Sequence, residues 1–69
     1  MNATTEAAHA ARERIHAYVQ KYPGQQADDI WHNNARINKP LVGRTLRWLA
    51  NNGKVRREGN GMAARFFPK

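Results

Sequence analysis

The sequence has no cysteine, which excludes disulfides and thiolate metal sites and makes a reducing cytoplasm the expected compartment. It is also short of acid: five Asp and Glu stand against twelve Lys and Arg, a net charge of +7. So few carboxylates supply neither a positioned general base nor a cation cluster, and no enzyme activity, cofactor or metal is expected. Asp28 and Asp29 form the one acidic pair, and a helix start explains them. Histidine is sparse too. His9 and His16 fall two turns apart on one helix, too far to share an ion, and read with His32 as surface residues. No apolar run approaches the roughly 20 residues of a membrane span, and the N-terminus lacks the segments of a signal peptide. A soluble chain with no membrane partner is expected. The first helix is Ala-rich and nearly uncharged overall, unlike the basic amphipathic helices that lie on lipid surfaces. Sixty-nine residues leave room for one domain, 1–69, near the lower size limit for an unstapled core, with 1–3 and 68–69 expected to fray.

What is abundant is positive charge, and it is unevenly placed. From Arg36 onward nine basic residues face only Glu58, a net +8. The first 35 residues carry three basic and four acidic side chains, a net of −1. Such an excess in half of a small domain points to a polyanionic partner.

The expected fold class is α+β, with three helices followed by a ribbon. Thr4 or Thr5 can cap a first helix running to Gln20, with Ala8, Ala11, Ile15, Tyr18, Val19 and Tyr22 on its buried face, and Pro23-Gly24 stops it. Gln25 to Ala27 reads as a brief extended stretch able to form a third strand. Asp28 and Asp29 start a short second helix holding Ile30 and Trp31, and it ends near Asn33-Asn34, where asparagine tolerates a left-handed turn. In the core, the Trp31 indole needs a hydrogen-bond acceptor. After Ile37, Asn38 caps a third helix whose first turn holds Lys39 and Pro40. Val42, Leu46 and Leu49 form its inward seam, and Gly53 supplies the left-handed stop after Asn51-Asn52. Lys54 to Glu58 and Ala64 to Phe67 read as strands around a Gly59-Asn60-Gly61 tip, with Val55 and one or both of Phe66 and Phe67 closing the core.

With that seam inward, a period of 3.6 turns Pro40, Arg44 and Arg47 outward. A helix entering a major groove reads guanine through paired hydrogen bonds from arginine, so Arg44 is the first candidate for base contact, and Arg47 reaches a base or a phosphate. Lys39, in the first turn, positions a phosphate. The full candidate set is Asn38, Lys39, Pro40, Arg44, Arg47, Lys54, Arg56, Arg57, Asn60 and Arg65. Alternation does not decide which of Arg56, Arg57 and Arg65 face a duplex. Trp48 falls away from the seam and either tucks under the ribbon beside Met62 or stays exposed as a contact.

This layout resembles the winged helix superfamily from Ile15 to Phe67: a winged helix-turn-helix with three helices and a two- or three-stranded antiparallel wing. Gly61-Met62-Ala63-Ala64-Arg65-Phe66-Phe67 is similar to the Gly-Met-Ala and aromatic ending of the small PapI/FaeA-type bacterial regulators, although the wing is about two residues shorter and the first helix is extended. The resemblance implies a cytoplasmic, nucleoid-associated bacterial transcriptional regulator that binds double-stranded DNA, with a homodimer or a larger regulatory protein as second partner. The competing expectation is a protein-interaction winged helix docking on a larger DNA-bound partner through Trp48 and the wing.

Overall fold

The structure, a computed structural model, describes residues 3–69, and the side chains of residues 6–61 and 63–69. It is an α+β arrangement of three α-helices and a three-stranded antiparallel sheet. Helix α1 spans Ala3–Lys21, β1 Gln25–Gln26, α2 Ala27–His32, α3 Lys39–Asn51, β2 Val55–Glu58 and β3 Arg65–Pro68, with a 3-10 turn at Gly61–Ala63. Strand β3 is central, with β1 and β2 on either side. The expected third strand is therefore present, two residues long, while Ala27 already belongs to α2. None of the described helices is long and apolar enough to cross a membrane.

The core forms where three stripes meet. Ile15 and Val19 from α1, Ile30 from α2, and Val42, Leu46 and Leu49 from α3 are sealed by Val55 and Phe66 from the sheet. Burying these side chains removes most of their apolar surface from water, the main term holding so small a domain together. Thr45 joins the inward face of α3 at 3 % exposure, a position the aliphatic pattern did not mark. Phe67 is only partly buried; Phe66 is the ring that closes the core.

Helix ends follow local chemistry. Asn38 caps α3 by accepting from the Leu41 amide at 2.9 Å, and Pro40 follows in the first turn, where a missing amide costs nothing. At the other end Gly53 adopts φ +69°. Its amide donates to the Ala50 carbonyl at 3.2 Å and the Lys54 amide to the Leu49 carbonyl at 2.8 Å, so two otherwise orphaned carbonyls are satisfied.

Several expectations are corrected. Thr4 and Thr5 lie inside α1, so neither caps it, and Ala3 is already helical; Met1 and Asn2 fall outside the described residues. Tyr22 follows the last residue of α1 and is 45 % exposed, because the chain leaves the helical period there. Asn33 and Asn34 are not left-handed; Asn33 sits at φ −88°. Asn34 instead turns inward, 3 % exposed, donating from Nδ2 to the Ile30 carbonyl at 2.7 Å and accepting from Arg14 Nε at 3.1 Å. The hairpin is not tight. Although Gly59 and Gly61 have positive φ, the last strand pair is Glu58 with Arg65, so the connection runs from Gly59 to Ala64 and contains the 3-10 turn. Trp31 is partly buried, yet its Nε1 is enclosed without an acceptor among the described residues.

Candidate nucleic-acid interface

The third helix carries its cations on the side opposite the core. Val42, Thr45, Leu46 and Leu49 are buried, whereas Pro40, Gly43, Arg44, Arg47 and Asn51 are exposed. Among the described residues no carboxylate forms an ion pair with Arg44 or Arg47. Each guanidinium presents its donors in a planar fork, the geometry that matches a carboxylate, a phosphate or the guanine edge. Lys39 is different: its Nζ lies 3.4 Å from Asp28 Oδ1 and 5.6 Å from the centre of the Trp31 ring, which pins it toward α2. The pair is half exposed and worth little, so a phosphate could draw Lys39 away at small cost. Asn38 uses its Oδ1 in the cap, leaving its side-chain amide for an acceptor outside.

Alternation divides the ribbon's cations between its faces, which the sequence left open. Paired residues share a face in an antiparallel ladder; Val55 and Arg57 stand with Pro68 and Phe66, while Arg56 and Glu58 stand with Phe67 and Arg65. Arg57 is therefore on the core side of the ribbon, yet exposed. On the outer face Arg56 Nη2 pairs with Glu58 Oε2 at 2.6 Å and lies 5.1 Å from the Phe67 ring centre. Arg65 Nη1 donates to the Gly24 carbonyl at 2.7 Å. Gly24 needs its φ of +84° and sits close against Phe67, so Arg65 is tied to the turn that leads into β1. Lys54 and Asn60 are exposed, one at the α3–β2 turn and the other at the ribbon tip.

The seven cations among the candidates thus fall into two groups. Lys39, Arg56 and Arg65 already have protein partners; Arg44, Arg47, Lys54 and Arg57 form no ion pair among the described residues. One cation that the sequence did not single out joins them. The Arg12 guanidinium lies 4.1 Å from the centre of the Trp48 ring, in a groove that also holds Asn38, Arg44 and Arg47. Trp48 therefore packs toward α1 and not under the ribbon, and the side chain of Met62 lies outside those described. The available signal was the extension of α1 before Ile15, which places Arg12 one turn ahead of that core residue.

Compared with known proteins, the chain matches no family model, no curated protein and no solved structure.

Proposed function

We propose that the chain is a winged helix-turn-helix DNA-binding regulator that lays α3 in the major groove of duplex DNA and rests its basic ribbon on the flanking backbone or minor groove. The observation that carries this reading is the outward face of α3, where Arg44 and Arg47 are exposed and unpaired among the described residues. Arg44 reads a base edge, Arg47 a base or phosphate, and Lys39, Lys54 and Arg57 hold the backbone. The helix order, the three-stranded sheet and the resemblance of the wing sequence to PapI/FaeA-type regulators support a role in bacterial transcription, in the nucleoid-containing cytoplasm.

One such helix reads about three or four base pairs, too few to select a genomic site, since each mismatch costs only about 1–3 kcal/mol. The functional unit therefore includes a second copy or a larger regulatory protein. Duplex titration followed by amide resonances tests the reading. Shifts are expected along α3 and the ribbon, and Arg44→Ala is expected to weaken specific binding by about 1–3 kcal/mol while relaxing sequence preference. Shifts confined to other surfaces would refute it.

A further inference from the structure

Between the N-terminal half of α1 and α3 runs an open groove of about 680 Å³. Its floor is apolar: Ala7 and Ala8 from α1, Leu41 and Trp48 from α3. Its rim is cationic, with Arg12 held over the Trp48 ring and Arg44 and Arg47 on the α3 side, and among the described residues no acidic side chain lines it. We infer that this groove binds an acidic amphipathic helix of a partner protein. Leu41 and Trp48 lie seven residues apart, about 10 Å along α3, which is two turns of a docked helix. The small side chains of Ala7 and Ala8 let that helix approach α1 closely, and carboxylates flanking its apolar stripe meet the guanidinium forks in paired, charge-assisted hydrogen bonds.

Charge selects this occupant over the others. A second copy docked two-fold through the same groove would set Arg12, Arg44 and Arg47 against their own counterparts with no acid to offset them. A DNA strand would satisfy the rim, but its phosphates gain nothing from the apolar floor. The inference stands apart from the DNA reading. Where both hold, helix and duplex exclude one another, because they share Arg44 and Arg47.

The test is display selection of helix-forming peptides on the full 69-residue chain, followed by titration of a selected peptide and, separately, of a 16-base-pair duplex. Selected peptides are expected to combine an apolar stripe at helical spacing with flanking Asp or Glu, and to shift the Trp48 indole and the Ala7 and Ala8 amides. Arg12→Glu, at the half-buried rim and with folding checked by circular dichroism, should weaken the peptide at least tenfold, whereas Arg36→Gln, outside the groove, should leave it unchanged. Trp48→Leu, with folding checked by circular dichroism, should weaken it as well. The inference is overturned if selection yields no helical binder, if binders lack acidic bias, or if Arg12→Glu binds normally. It is equally overturned if only the duplex moves Trp48, Ala7 and Ala8, or if sedimentation shows a dimer that Arg12→Glu dissolves.

Discussion

Asn34 is the polar residue on which the corner between α2 and α3 depends. Its Nδ2 supplies a donor to the Ile30 carbonyl at the end of α2, and its Oδ1 takes the Arg14 guanidinium of α1, so one side chain joins the turn after α2 to both of these helices. Asn34→Ala removes both bonds. A neutral bond is worth about 0.5–1.5 kcal/mol net and one to a charged group about 1.5–3 kcal/mol. Arg14 is exposed, so its bond is discounted for solvent to the bottom of that range, giving a total of about 2–3 kcal/mol. For a domain of this size each kcal/mol shifts Tm by about 4–8 °C, so a fall of roughly 10–20 °C is expected. Urea unfolding followed by tryptophan fluorescence reads the same loss as a lower midpoint with unchanged slope. Arg14→Ala, which leaves the Ile30 bond intact, should cost about 1.5 kcal/mol. An Asn34→Ala variant within about 0.5 kcal/mol of the parent would mean that this residue does not hold the corner, and the reasoning fails.

Other outcomes follow from single positions. Gly43 lies inside α3 with nothing within 4 Å of where a Cβ would sit, so Gly43→Ala should stabilise by about 1 kcal/mol in urea unfolding, and destabilisation would refute that the site is open. Asn38→Ala, by deleting the cap on the Leu41 amide, should cost about 1 kcal/mol in the same assay; no change would show that the cap contributes nothing. Burial first, then the Tyr22 and Asp29 charges, raises the Tyr18 phenol above its usual pKa of 10.0. The folded chain then keeps a proton that the unfolded chain releases, so this contribution is full below about pH 10 and is lost as pH rises through the folded value. Tyr18→Phe should therefore lose less stability than the parent across that alkaline window, and parallel curves would argue against the shift.

Local chemistry and the third strand were legible in the sequence, and the long-range side-chain contacts were not. The spacing of Ile15 with Val19 and of Val42 with Leu46 and Leu49 gave the inward faces, because a helix repeats its surface every three or four residues. Asn38 with Pro40 and Gly53 marked both ends of α3, since caps and left-handed stops are chosen within a few residues. By contrast the Asn34–Arg14, Trp48–Arg12 and Arg65–Gly24 contacts join residues 20, 36 and 41 positions apart, separations at which no pattern in one chain selects the partner. Asn34 was read as a turn residue for its backbone tolerance, whereas burial made its side-chain hydrogen bonds the larger effect. The Arg56–Glu58 pair is a different case. Two residues apart on one strand, they share a face, and simple alternation would have found them.

These pairings change what the interface offers. On the proposed reading, with Arg56 and Arg65 partnered and Arg44 given to a base edge, Lys39, Arg47, Lys54 and Arg57 are left to neutralise phosphates, about four contacts and a salt slope of roughly −3.6. Binding constants for duplex DNA over a salt series, taken for the parent and for the Arg44→Ala, Arg47→Ala double variant, examine that face of α3 alone. The expected result is a slope near that value for the parent, with the double variant at least tenfold weaker at every salt concentration and shallower in slope. Equal affinity and equal slope for the two proteins, or a parent that does not bind duplex even in dilute buffer, would show that α3 does not read DNA.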